Sequence, residues 1–165
     1  MQRKTLEDLF IHALSDIANA ERQLTKALPK MARAANDPKL AAAFEAHKEE
    51  TEGQIERIDQ LVEHSKLRLR RIKCAAMEGL VEEGKEVIDE FEKGAVRDAA
   101  LIAAAQKVEH YEIASYGTLC ALAKQLGDQN AVKLLKATLD EEKATDEKLT
   151  TFAEHDANVR ARKAA

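Results

Sequence analysis

The chain has 165 residues, of which 45% are hydrophobic and 34% are charged, and this length and composition are typical of one globular domain. No apolar run approaches the ~18 residues that a membrane span requires, so we expect a soluble protein without a membrane partner. The 26 basic and 30 acidic residues give a net charge of -4. Such a balance creates no overall field that would attract nucleic acid, and none is expected as a partner.

The amino-terminal segment and the cysteines predict the cellular compartment. Glu7, Asp8 and Asp16 interrupt the apolar stretch that a secretory signal would need. Cys74 and Cys120 are the two cysteines and lie far apart in the sequence, which fits free thiols in a reducing compartment better than a disulfide framework. We therefore expect a cytoplasmic protein.

The first half of the chain predicts two long helices joined by a short turn. Thr5 is a helix-capping residue, and apolar residues follow it at helical spacing for about thirty residues. Asn36 then begins a turn, after which Asp37 can cap a new helix and Pro38 suits its first position, where no amide donor is needed. This second helix is expected to end near His64.

The next segment is too long to be a turn. Residues 65–96 contain a basic stretch, 66–73, which we interpret as solvated, and a shorter amphipathic helix over 75–91. One long crossover between the second and third helices of a bundle is the ferritin-like arrangement. The segment is therefore expected to cross the bundle.

The last part of the chain predicts a second helical hairpin. A long helix over 96–126 ends at Gly127, and a fourth helix follows it. We expect the chain to fray after His155. The predicted fold is thus all-α, a ferritin-like antiparallel four-helix bundle over residues 1–157 with a basic carboxyl-terminal tail over 158–165.

Acidic residues interrupt the apolar stripe of each long helix midway along its length, where a core residue is expected. One histidine lies among them. The inward-facing candidates are Glu21, His47, Glu50, Glu109, Glu112, Glu142 and Asp146.

The depth of these residues in the bundle follows from counting along each antiparallel hairpin. Glu21 precedes the first turn, at Asn36, by nearly the same length of chain as Glu50 follows it. Glu112 and Glu142 are likewise almost equally far from the second turn, one before it and one after it. At 1.5 Å per residue both hairpins place carboxylates at one level, about 20 Å from the turn.

Six carboxylates in an apolar interior would each lose several kcal/mol of hydration and would repel one another. The Lys and Arg residues near them in sequence, such as Arg22 and Lys107, fall on other faces of the helices. Bound metal is the simplest compensating charge. Oxygen-rich coordination with one imidazole favours iron or manganese, so the sequence predicts two such ions.

Three motifs in this chain resemble the YciE/YciF stress-associated proteins of the ferritin-like superfamily. They are EAHKEET at 45–51, KVEHYE at 107–112 and LDEEKATD at 139–146. The resemblance covers the whole chain and implies a di-metal carboxylate site in a bacterial stress protein. In the wider superfamily a histidine follows its glutamate by three positions, whereas His47 precedes Glu50 by three and the fourth helix has no inward histidine.

Two functions remain open from the sequence. One is a di-metal oxidoreductase that acts on oxygen or peroxide, with Glu50 and Glu142 bridging the two ions. The other is a non-enzymatic stress or interaction protein with a structural or vestigial metal site. A rotation of one helix by one residue would replace Glu50 by Glu49, or Glu142 by Glu141.

The crossover helix also predicts a homodimer, because it carries more apolar residues than one flank of a bundle needs to cover. These residues are Leu80, Val81, Val87, Ile88 and Phe91.

Overall fold

Antiparallel helices make up the core of the computed structural model, which describes residues 4–164 of the chain. The predicted all-α four-helix bundle with a helix in its crossover is confirmed. No helix within the described residues is long and apolar enough to cross a membrane. The helices are α1 Leu6–Ala34, α2 Pro38–His64, α3 Ala75–Glu90, α4 Ala95–Gln125, α5 Gln129–Phe152 and α6 Asn158–Lys163, with a π-helical turn at Ala153–Ala157 between the last two.

Local capping interactions define the helix ends that the sequence predicts. Thr5 accepts a hydrogen bond from the Asp8 amide, and the Asp8 carboxylate accepts one from the Thr5 amide, which completes a capping box. Asp37 caps α2 by accepting from the Lys39 amide at 2.7 Å. Gly127 has a φ of 76°, a left-handed conformation that favours glycine and ends α4.

Two helical hairpins, α1–α2 and α4–α5, pack face to face, with α1 beside α4 and α2 beside α5. The crossover helix α3 packs across α1 and α4. A buried carboxylate ties the hairpins together at one end: Asp98 of α4 accepts from the amides of Asn36 and Asp37 at 2.7 and 3.0 Å. The turn between α1 and α2 is therefore held by the other hairpin.

The carboxyl-terminal segment departs from the sequence prediction, because it does not fray after His155. It continues as helix α6 to Lys163, and Ala157 is 1% exposed. Arg160 forms ion pairs with Asp37 at the start of α2 and with Asp156 in the preceding turn. These contacts hold the segment against the bundle. The predicted boundary between a bundle over residues 1–157 and a tail over 158–165 stays a prediction.

Candidate metal centre

The middle of the bundle brings polar side chains from all four long helices into one buried group. Helix α1 contributes Glu21, α2 contributes His47, α4 contributes Glu109 and Glu112, and α5 contributes Glu142. Each of the five is at most 6% exposed. One potential ligand atom from every member except Glu21 lies within 4.8 Å of the others, a spacing that lets one or two metal ions contact them together.

The imidazole of His47 connects the inner and outer parts of this group. Its Nε2 lies 2.9 Å from Glu109 Oε1 and 4.0 Å from Glu142 Oε2. Its Nδ1 lies 3.2 Å from Glu50 Oε2. A histidine whose outer nitrogen contacts a carboxylate has a fixed ring orientation, and such contacts are usual for metal-binding histidines.

Six buried oxygens in and beside this group receive no hydrogen bond from any donor in the described part of the chain. No hydrogen bond or ion pair among the described residues joins the glutamates of the group to Lys or Arg. Buried acceptors without donors are rare in native proteins and call for an explanation, and an ion is one. The donor set, glutamate oxygens and one imidazole, fits iron or manganese. The oxygens are Glu21 Oε2, Gln54 Oε1, Glu109 Oε2, Glu112 Oε1, Glu112 Oε2 and Glu142 Oε2.

Three glutamates of the group have raised pKa values. Burial raises the pKa of Glu142 to about 10, and the charge of the nearby Glu109 adds to the shift. Burial and the nearby charge of Glu21 hold the pKa of Glu112 well above its usual range. Burial also raises the pKa of Glu21, and the nearby Glu112 and the hydrogen bond from Tyr116 only partly offset this rise. Without a cation, these carboxyls therefore favour their protonated forms.

His47 and Glu50, unlike these three glutamates, favour their charged forms. Burial lowers the pKa of His47, but its hydrogen bonds to Glu109 and Glu50 outweigh burial and raise that pKa well above the ordinary value. The hydrogen bond from His47 lowers the pKa of Glu50. Without metal, His47 therefore favours its imidazolium form beside the Glu50 carboxylate. A metal ion that binds Nε2 of His47 would displace the proton from that nitrogen.

A second layer of side chains orients the inner glutamates. The Tyr116 hydroxyl is fully buried and donates to Glu21 Oε1 at 2.5 Å. Gln54 is also fully buried and donates through its amide nitrogen to Glu142, and to Glu141 Oε2 at 3.1 Å. Each contact leaves one oxygen of the inner glutamate free for a ligand.

A half-buried ion pair lies beside this layer and was not predicted from the sequence. Arg57 of α2 donates two hydrogen bonds to Glu141 of α5, at 2.7 and 2.5 Å, and one to Thr138 at 3.2 Å. Glu141 thereby pairs with Arg57 and turns away from the inner group. Counting from a turn could not reveal this pair, because α2 and α5 belong to different hairpins.

Two of the seven predicted ligand residues, Glu50 and Asp146, lie at the rim of the group rather than inside it. The Glu50 side chain is 32% exposed and accepts from Thr145 at 3.2 Å. The Asp146 side chain is 20% exposed and contacts Gln106 and His110 at 3.3 and 3.1 Å. An α-helix completes a turn in about 3.6 residues, so a step of three or four positions rotates a side chain partly away from its inward neighbour.

Comparison with known proteins identifies the family. A model of the family described as "Domain of unknown function (DUF892)" matches residues 5–162. The chain belongs to the DUF892 family. Protein YciF of Escherichia coli K12 is 65% identical over 162 residues, which cover 98% of each chain.

Solved structures of similar proteins share the fold. The crystal structure of the E. coli stress protein YciF matches with a TM-score of 0.92 at 66% identity, over 94% of this chain and 99% of that one. YcfI from Rhodopseudomonas palustris matches with a TM-score of 0.86 at 47% identity, over 90% and 94% of the two chains. A Xanthomonas campestris protein at 21% identity, with a TM-score of 0.74 over 96% and 97%, shares the fold alone.

Proposed function

We propose that this chain is a cytoplasmic stress protein that binds two metal ions, iron or manganese, in the buried group and acts on oxygen or peroxide. Its similarity to a protein described as a stress protein supports the physiological setting. Glu21, His47, Glu109, Glu112 and Glu142 would hold the metal. Bound iron or manganese would supply redox chemistry.

The observation that carries this proposal is the set of buried acceptors without donors. Four glutamates and one histidine meet inside the bundle, and no Lys or Arg among the described residues neutralises those glutamates. A purely structural polar network would be expected to pair its oxygens with donors. A group that leaves oxygens free and facing one another is instead suited to cations.

A direct experiment loads the metal-free protein anaerobically with ferrous iron and then adds hydrogen peroxide or oxygen. We expect the protein to oxidise its iron at least tenfold faster than the Glu142→Gln variant does, because the variant lacks a ligand oxygen. Glu147→Gln, an exposed change on the same helix, is the matched control and should behave as wild type. Equal rates in wild type and Glu142→Gln would contradict an oxidoreductase function.

A non-enzymatic function is the second candidate, and the positions of two rim residues favour it. Glu50 and Asp146 are engaged by His47 and by His110, which leaves four glutamates and one histidine for two ions. In this hypothesis the metal stabilises the bundle without turnover. Metal binding that raises the midpoint of unfolding, combined with iron oxidation no faster than in Glu142→Gln, would support this second function.

A further inference from the structure

A cavity of about 240 Å³ lies between α2, α4 and α5 and ends at the candidate metal centre. Its walls are apolar and include Phe44, Ala105 and Leu149. His47 and Glu109 line the cavity as well, so it reaches two members of the buried group. Most of the residues that line this cavity are not candidate metal ligands. Metal binding by the buried group does not require such a cavity.

The cavity opens to the surface where α2 carries small residues. Ala43 and Ala46 are exposed and line it from α2, and Lys148 is the exposed residue that lines it from α5. Because Ala43 and Ala46 are small, a small molecule can enter between the two hairpins without unfolding a helix. Larger residues at 43 and 46 would narrow this opening.

The charged residues around the cavity favour a neutral ligand over a carboxylate. A carboxylate ligand would meet Glu50 and Glu109 at the metal end, and like charges in a desolvated space repel strongly. Of the described residues, Lys148 is the only basic one that lines the cavity apart from His47, which is already engaged by carboxylates. A neutral ligand avoids this repulsion and gains from apolar burial.

We propose that this cavity binds a neutral, largely apolar organic molecule of about ten non-hydrogen atoms. This size follows in proportion from engineered apolar cavities, in which about 150 Å³ holds one benzene molecule. A bicyclic aromatic compound has this size. A reaction of this molecule with oxygen or peroxide at the metal centre would rest on the proposed function, but its binding does not. The cavity residues exist in the metal-free protein, so the two claims can be tested separately.

Indole is a suitable probe because it is neutral, has nine non-hydrogen atoms, and the chain contains no Trp to mask its fluorescence. Titration of metal-free protein against a fixed indole concentration should give a saturable blue shift. Ala46→Leu or Ala43→Leu should weaken binding at least tenfold, because the new side chain fills the opening. Ala42→Leu, an exposed change on α2 that does not line the cavity, should bind as wild type.

A competition experiment tests the preference for a neutral ligand. Naphthalene should displace indole, and 2-naphthoate should do so at least tenfold more weakly. No saturable shift with wild type, equal binding by Ala46→Leu and Ala42→Leu, or equal competition by 2-naphthoate would each overturn the inference. Saturable, Ala46-dependent indole binding by a protein that binds no metal would support this inference while contradicting the proposed function.

Discussion

The buried glutamates determine how the metal-free protein responds to pH. In the unfolded chain Glu142 ionises near its ordinary pKa of 4.5, whereas in the folded chain its pKa is about 10. Between these values the folded state holds a proton that the unfolded state has lost, so the free energy of unfolding falls as pH rises. For this carboxyl alone the loss between pH 4.5 and pH 7 is about 3 kcal/mol.

Three neighbours act in the same direction. The pKa values of Glu21, Glu112 and His47 are also raised. A raised histidine pKa contributes stability that is complete below its unfolded value of 6.5 and is lost as pH rises through its folded value. We expect metal to flatten this dependence, because it replaces the bound protons.

The Glu112→Gln variant tests this account. A glutamine has nearly the same shape but no proton to lose, so the metal-free variant should be more stable than metal-free wild type at pH 7. Its free energy of unfolding should fall less steeply with pH, by up to about 1.4 kcal/mol per pH unit. Urea unfolding at several pH values measures this slope. Glu56→Gln, an exposed change on α2, should leave the slope unchanged, and an unchanged slope in Glu112→Gln would contradict the account.

At the scale of helices, the hydrogen bonds between Asp98 of α4 and the turn that joins α1 to α2 make a measurable contribution to stability. Asp98 is 1% exposed and accepts from the amides of Asn36 and Asp37. Asp98→Ala removes both acceptors and should lower the free energy of unfolding by about 3 kcal/mol. The exposed substitution Asp89→Ala on α3 serves as the control in urea unfolding. A loss below about 0.5 kcal/mol, within the range of surface changes, would show that the turn does not depend on α4.

Helix ends could be predicted from the sequence because the interactions that define them are local. Thr5 and Asp8 cap α1, and Gly127 adopts its left-handed conformation within a single turn of chain. The carboxyl-terminal helix could not be predicted in this way. Arg160 reaches Asp37, which lies 123 positions away, and no local pattern reveals such a contact.

In the candidate site, too, the features that depend on one hairpin could be predicted from the sequence, and those that depend on the packing of the two hairpins could not. Counting from the second hairpin turn placed Glu112 and Glu142 at one depth, and these two residues offer ligand atoms within 4.8 Å of one another. The counting fixes depth but not rotation, so it also included Glu50 and Asp146, which lie at the rim. The Arg57–Glu141 pair depends on how the hairpins dock, which the sequence does not state.

The whole molecule is expected to be a homodimer, although the structure alters the reason for this prediction. Four of the crossover residues invoked for an interface, Leu80, Val81, Val87 and Ile88, are partly buried and pack on the core of the bundle. The fifth, Phe91, is exposed, as are several apolar side chains outside the crossover, and such residues can form interfaces when they cluster. These exposed side chains are Leu6, Leu9, Phe91, Val96, Leu126 and Val159.

Light scattering at micromolar concentration measures the assembly. We expect a mass twice that of the 18.3 kDa chain. The same measurement on Phe91→Asp, which places a charge on the exposed end of the crossover, should report a smaller average mass if this end contributes to the interface. A wild-type mass of one chain would contradict the homodimer.

Metal content tests the central claim of a buried di-metal centre most directly. Wild type, Glu142→Gln and the surface control Glu147→Gln would be purified without chelator, shown to be folded by circular dichroism, and compared by elemental analysis. We predict about two iron or manganese ions per chain in wild type and in Glu147→Gln, and less than a tenth of that in Glu142→Gln. Equal metal content in all three folded proteins, or none in wild type after iron and manganese are supplied, would contradict the account.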